Sequence, residues 1–312
     1  MEYGRVPGLS DRLPRLIMGS VAFSAMPFDE VAALLDAYVA AGGTAVESAH
    51  DYGRGETERI IGRWLAASRA LGRVMVMTKG AQHDRDLVRR VTPEAIARDL
   101  EESLERLGVD TIDLYMLHRD DPSRPVGPIV ECLHGHAEAG RVRAYGGSNW
   151  THRRLDEVNA YAAAHGLRPF VVSSPNLALA VPKEPLWHEV LSITGDREAL
   201  AWYQERQFPL IPWSSQARGF FSGRFSPEDT SDADVARVYY TAENWERLRR
   251  AREAAARHGC TPTQIALAWV LRQDFPTFPL IGPRSVAELR DCLGALDVRL
   301  TAEEAAWLNL ES

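Results

Sequence analysis

Tyr52 follows Glu47 by five residues in GGTAVESAHDYGRGETERIIGRWL, Lys79 closes the apolar run VMVMTK, and His118 closes IDLYMLH. A phenol, an ammonium, an imidazole and a carboxylate are thus delivered by three successive strand-like segments. That set can protonate a carbonyl oxygen while hydride reaches the carbonyl carbon. A tyrosine with a reference pKa of ~10 needs help to exchange a proton near neutrality, and an adjacent ammonium stabilises its phenolate. Lys79 is placed to supply the charge. A lysine at the end of a buried strand needs a carboxylate partner in turn, and Glu47 ends the preceding strand. An imidazole at position 118 can hydrogen-bond the carbonyl and share its proton. Each side chain alone has an ordinary structural explanation, as packing residue, solvated cation or satisfied histidine. Their joint placement on consecutive strand ends points to an active site.

The elements that must position them alternate along the chain. Short apolar runs rich in β-branched residues fall near Leu16–Gly19, Thr44–Glu47, Val74–Lys79, Ile112–His118, Arg143–Gly147, Phe170–Ser173, Leu210–Trp213 and Phe278–Ile281. Helical periodicity falls between them, near Asp29–Ala41, Glu56–Ser68, Pro93–Leu107, Pro128–Ala139, His152–His165, Asp196–Gln207, Asn244–His258 and Val286–Leu293. Thr92 before Pro93 reads as a helix cap and first-turn proline, and Gly42, Gly108 and Gly166 read as C-terminal stops. An eight-fold βα alternation without a linker predicts an α/β fold, a (β/α)8 TIM barrel occupying residues 1–312 as one domain. A doubly wound open sheet has the same alternation, but it would normally place GxGxxG after its first strand, where this chain has GSVAFS. Gly4 to Pro14 is expected to form a short N-terminal cap. The Leu177–Thr194 segment, with Pro182, Pro185 and Trp187, is expected to be an extended βα loop over the active face, and Pro227–Asp234 an exposed polar loop.

Composition narrows the function class. The 312 residues are 45% hydrophobic and 25% charged, and 36 Lys and Arg against 43 Asp and Glu give a formal charge of −7. Nucleic-acid binding would call for clustered basic excess, so no nucleic-acid partner is expected. Cys132, Cys260 and Cys292 are few, odd in number and without CxxC spacing, which fits a reducing cytoplasm better than a disulfide framework. The N-terminal stretch lacks the pattern of a signal peptide, and no run approaches a membrane span. A cytoplasmic location and no membrane association are expected. His134 and His136 stand two apart on a helix, so their side chains diverge and no metal site is expected.

The chain resembles the aldo-keto reductase superfamily over nearly its whole length, in the manner of bacterial members related to the potassium-channel β-subunit-like group. The resemblance is carried by Gly43 through Gly53, Thr78–Lys79–Gly80, Asp113 to His118, RVRAYGGSNW, IPWSSQARGFFSG and PLIGPRSVAELRDCL, in that order. It implies reduction of an aldehyde or ketone to an alcohol by hydride from NADPH or NADH. Tyr52 is then the general acid, Lys79 its pKa-lowering partner and His118 the group that orients the carbonyl. Glu47 stands where the family has aspartate, one methylene longer, so the bridge to Lys79 must be accommodated by a shifted lysine or a folded glutamate.

For the cofactor, the resemblance assigns Gly19, Ser148, Asn149 and Ser174 to the nicotinamide end. Ser174 replaces the family's glutamine, and Trp213 supplies the ring expected against the nicotinamide face. Ser214, Gln216, Ala217, Arg218 and Gly219 fall in the pyrophosphate loop. Gly282, Arg284, Ser285, Glu288 and Cys292 fall in the adenosine-phosphate segment. Arg284 and Ser285 suit a 2′-phosphate, whereas the Glu288 carboxylate suits a free ribose hydroxyl. NADP(H) is favoured, with NAD(H) as the alternative. Phe23, Trp150 and Trp187 are expected to wall a pocket for a small-molecule carbonyl substrate, bulky or aromatic. Two other readings share the same residues: a nucleotide-sensing subunit with slow turnover, and a reductase dedicated to one metabolite.

Overall fold

The computed structural model describes residues 1–9, 13–68 and 70–311. Seven parallel strands form a curled sheet: β3 (Ile17–Gly19), β4 (Ala45–Glu47), β5 (Met75–Gly80), β6 (Ile112–Leu117), β7 (Val142–Ser148), β8 (Ser173–Ser174) and β9 (Leu280–Ile281). Their order is β8-β7-β6-β5-β4-β3-β9. The gap between the two edges is bridged by the expected seventh strand, reduced here to pairings of Leu210 with Ser173 and with Thr277. This is the α/β barrel, its seventh stave a bridge rather than a ladder because Pro209 and Pro212 flank the paired residues and lack donors. An antiparallel pair, β1 (Tyr3–Gly4) and β2 (Leu13–Pro14), precedes the barrel. It places Val6 and Leu13 against the barrel interior. Residues 10–12 of the expected cap lie outside the described residues.

The helices are α1 (Phe28–Ala40), α2 (Glu56–Ser68), α3 (Pro93–Leu107), α4 (Val126–Glu138), α5 (His152–His165), α6 (Arg197–Arg206), α7 (Ala233–Tyr239), α8 (Ala242–His258), α9 (Pro262–Leu271), α10 (Val286–Gly294) and α11 (Ala302–Leu308). Their ends follow local chemistry. Thr92 Oγ1 accepts from the Ala95 N–H ahead of Pro93, and Gly108 and Gly166 close α3 and α5 in the left-handed region. The segment expected as a polar loop is cut short by α7, whose cap Asp232 accepts from the Val235 N–H. Neither α9 nor α11 was expected.

Side-chain parity builds the site. Ile17, Ala45, Met75, Met77, Leu114, Met116, Ala144, Val172 and Ile211 share the barrel interior. Successive side chains on a strand alternate faces, so residues at even spacing from these point inward too. Gly19, Glu47, Lys79, His118, Ser148, Ser174 and Trp213 all lie at that spacing, one step beyond the last apolar layer. The opposite faces, with Val46, Val76, Tyr115 and Leu117, pack against the helices. One apolar plug therefore supports one ring of polar side chains at the C-terminal ends of the strands, where barrels of this kind carry their chemistry.

Candidate active site

Lys79 is the hub of the ring. Its side chain is buried, and Nζ donates to Glu47 Oε1, to the Ser48 carbonyl at 3.0 Å and to Tyr52 Oη at 3.1 Å. An ammonium has three N–H donors, so all three are matched. Burial and the nearby Arg119 guanidinium pull the Lys79 pKa down, against the stabilising carboxylate of Glu47. Gly19, the last residue of β3, pairs in register with Glu47. Tyr52 opens a 3-10 turn, Tyr52–Gly55, directly after β4 and remains partly exposed. Its phenol lies above its ordinary pKa, because burial and the Asp51 carboxylate outweigh Arg119. The expected lowering by Lys79 is not the net result, because burial is the larger effect. At neutral pH the phenol keeps its proton, and because its oxygen accepts from Lys79 the O–H is free to turn toward a substrate.

His118 is fixed by its backbone N–H, which donates to the Gly80 carbonyl at 2.8 Å. Its ring meets Tyr52 edge-on, with centroids 5.7 Å apart. Burial pushes the imidazole down to about 4, although Asp51 opposes the shift. Nδ1 lies 3.1 Å from Asp51 Oδ1. Arg119, 5% exposed, folds its guanidinium over the site, donating to the His118 carbonyl at 2.9 Å and the His188 carbonyl at 3.3 Å. Asp51 and Arg119 were absent from the expected set. Their only sequence signal is adjacency, Asp51 before Tyr52 and Arg119 after His118.

The residues assigned to the cofactor fall into three groups. At the inner end, Ser148 Oγ donates to the Ser174 carbonyl at 2.9 Å, while Ser174 Oγ is buried with no partner. Asn149 is more constrained than expected. Its amide donates to the His118 carbonyl and to Ser148 Oγ, both at 3.1 Å, and accepts from Leu191 N–H at 3.0 Å and Trp213 Nε1 at 3.1 Å. Four bonds use its full capacity, which makes it a clasp between three strand ends and the long loop. In the second group, Ser214, Ala217, Arg218 and Gly219 all have positive φ, between 49° and 83°. The Ala217 and Gly219 N–H groups close turns onto the Ser214 and Gln216 carbonyls at 2.8 and 2.9 Å, which fixes a loop conformation of the kind that can hold an anion. Gln216 Nε2 reaches Cys292 Sγ at 3.3 Å, tying this loop to α10. In the third, Ser285 Oγ caps α10 by accepting from the Glu288 N–H, and Glu288 Oε2 accepts from the Arg284 N–H at 2.7 Å. Arg284 is exposed beside them, and Gly282 has open space around its Cα.

The expected pocket walls need correction. Phe23 and Trp150 are each 0% exposed and belong to the core behind the sheet. Trp150 packs on Phe170 and its indole N–H donates to the Arg119 carbonyl at 3.1 Å, so it supports the site from behind. Proximity to a strand end in sequence did not distinguish an inward from an outward side chain. Trp187 alone is at the mouth, 45% exposed, its ring 5.5 Å from that of Trp213. Among the described residues no cluster of three or more metal-type ligands occurs, and no helix is long and apolar enough to cross a membrane.

The model of the aldo/keto reductase family matches residues 15–309. The chain belongs to the aldo/keto reductase family. It is 32% identical to the aldo-keto reductase str7 of Strobilurus tenacellus over 89% of this chain and 80% of that one. It is 28% identical to an aldo-keto reductase of Schizosaccharomyces pombe whose name carries NADP(+), over 94% and 86% of the two chains. Among solved structures, a glycerol dehydrogenase from Gluconobacter oxydans matches with a TM-score of 0.80 at 24% identity, covering 98% of this chain and 93% of the other. That likeness speaks for the shared barrel. As an aldo/keto reductase the chain is an oxidoreductase of carbonyl compounds in general.

Proposed function

We propose that this aldo/keto reductase acts as one barrel domain that reduces an aldehyde or ketone to the alcohol with NADPH, or alternatively NADH, as hydride donor and Tyr52 as general acid. The observation that carries the reading is the arrangement at Lys79: its ammonium donates to the tyrosine oxygen at 3.1 Å while Glu47 and the Ser48 carbonyl take its other protons. The tyrosine O–H is thereby turned outward, and charge that develops on its oxygen as the proton leaves is met by an ammonium already in place.

The residues present fit a nicotinamide dinucleotide. The orphaned Ser174 hydroxyl suits a carboxamide, the left-handed run at Ser214–Gly219 suits a pyrophosphate, and exposed Arg284 suits a 2′-phosphate. When bound, the nicotinamide supplies the hydride. Trp213 would hold the ring face, and Trp187 against it would exclude water from one side of the substrate. The NADP(+) in the name of the fission-yeast relative supports NADPH as the donor. The Cys132, Cys260 and Cys292 thiols are all free, which supports a cytoplasmic location.

The test is a fluorescence titration of the protein and of Tyr52→Phe with each nucleotide, beside turnover of nitrobenzaldehyde. Nucleotide binding in both, with turnover reduced by ~10²–10⁴ in the variant, is expected. A variant that turns over like the parent removes Tyr52 from the role of acid.

A further inference from the structure

We propose that Arg106 and Glu58, an ion pair in the helix layer behind the sheet, are positioning residues for Tyr52 and Lys79, holding the backbone supports of both from one place. The consequence for rate rests on the reductase reading, whereas the positional claim does not.

The turn that carries Tyr52 does not hold itself. No side chain caps it, and Gly53 and Arg54 both stand in the left-handed region at a φ of 57°. For an arginine that conformation is unfavourable unless its surroundings impose it. The chain enters the turn at His50, whose N–H donates to the Lys79 carbonyl at 2.8 Å. The His50 carbonyl accepts from Arg106 Nη1 of α3 at 3.0 Å, and its ring Nε2 lies 2.9 Å from Glu102 Oε2. Glu102 Oε2 accepts in turn from Arg106 Nη2 at 2.5 Å. One guanidinium thus fixes the His50 peptide directly and the ring through Glu102. Gly55 leaves that guanidinium its path, since a Cβ there would stand 2.6 Å from Arg106 Cζ.

Lys79 is held from the same place. Thr78 precedes it on β5, and strand alternation turns Thr78 toward the helices as Lys79 turns inward. Thr78 Oγ1 donates to Glu58 Oε1 at 2.7 Å. Glu58, on α2, is 0% exposed, and its Oε2 accepts from Arg106 Nη1 at 3.3 Å. A carboxylate so buried requires a partner of opposite charge, and Arg106 provides it. The pair acts on the phenol and the ammonium through the backbone, at His50 and at Thr78, and so sets the distance across which Lys79 meets Tyr52.

The experiment uses two variants. Arg106→Met/Glu58→Gln removes both charges together and so leaves neither buried alone. Arg106→Lys keeps a charge for Glu58 but loses the planar fork that reaches several acceptors at once. Carbon NMR of protein labelled with 13C at tyrosine Cζ, with Tyr52→Phe to identify the signal, reads the setting of the phenol without any turnover. The Tyr52 signal should move or broaden in both variants, while those of Tyr203 and Tyr239, on α6 and α7, stay in place. Single-turnover reduction of nitrobenzaldehyde by NADPH should slow by up to ~10²-fold in both, with nucleotide affinity from tryptophan fluorescence unchanged. A Tyr52 signal or a rate identical to the parent's in either folded variant overturns the proposal. So does nucleotide affinity lost in step with rate, which marks a general distortion of the barrel. If the parent itself reduces no aldehyde with either nucleotide, the reductase reading falls, while the carbon spectrum still decides the positional claim.

Discussion

Gly19 and Glu47 end neighbouring strands in register, and a methyl group on Gly19 would stand 3.5 Å from Glu47 Oε2 and 3.2 Å from the Ile281 carbonyl oxygen. The second distance is the tight one, whereas the first is ordinary van der Waals contact. Gly19→Ala is therefore expected to shift the backbone of β9 against β3 by a few tenths of an ångström. Because β3 also pairs with β4, which carries Glu47, a shift passed across the sheet would disturb the Lys79 and Tyr52 arrangement and lower kcat for aldehyde reduction by up to ~10²-fold. Steady-state kinetics with the purified variant decide this, and an unchanged kcat would mean that β9 absorbs the methyl group without disturbing the site.

Breaking the buried pair has a separate signature in stability. Glu47→Ala strands the Lys79 ammonium, whose side chain is 2% exposed, without its carboxylate. Loss of one partner of a buried ion pair typically costs ~3–5 kcal/mol, whereas removal of both can be close to neutral. Urea unfolding should show the single variant destabilised by that order and Glu47→Ala/Lys79→Met largely restored. Equal destabilisation of the two would show that the pair does not behave as a coupled unit.

The His118 imidazole links stability to acid. Its folded pKa of about 4 lies below the ordinary value of 6.5, so the unfolded chain takes up a proton first as pH falls. The sign follows: the folded state is favoured above pH 6.5, and that advantage is lost between 6.5 and about 4. A shift of this size corresponds to roughly 3 kcal/mol. His118→Gln should remove a comparable part of the fall in urea midpoint over that window, and a variant with the same pH profile as the parent would count against the burial argument.

The sequence carried most of the barrel because each strand is a short apolar run ending in a polar residue, and parity then orients that residue without further information. Glu47, Lys79 and His118 needed nothing more than this. Three features escaped for identifiable reasons. Helix α9 is buried nearly all round, Ile265 through Val270, so it shows no amphipathic period. Its start was nevertheless legible as a capping box, with Thr261 and Gln264 bonded reciprocally around Pro262. Phe23 and Trp150 lie near strand ends in sequence but face the helices, a distinction that depends on side-chain direction after the strand has ended. Asp51 meets His118 only because the β4 turn folds across the mouth, and no spacing rule anticipates that contact; Arg119 follows His118 directly, but nothing in the sequence says that its guanidinium folds back over the site.

In the proposed reading cofactor choice rests on α10, where the Glu288 carboxylate curls back onto the Arg284 N–H at 2.7 Å. That N–H lies at the entry to a helix whose first donors would otherwise attract a phosphate. Glu288 therefore places its own negative charge where a 2′-phosphate would sit, beside the Arg284 guanidinium that would bind it. Two such charges about 4 Å apart at an exposed site repel by about 1 kcal/mol, a factor of about five in affinity. Glu288→Gln keeps the side-chain length and an acceptor for the N–H but removes the charge. It should tighten NADPH about fivefold in a tryptophan-fluorescence titration and leave NADH unchanged or slightly weaker. The added affinity should shrink as salt is raised, because the repulsion removed is screened on the surface. Tightening of both nucleotides alike would place the effect in the packing of the α10 entrance instead of in charge.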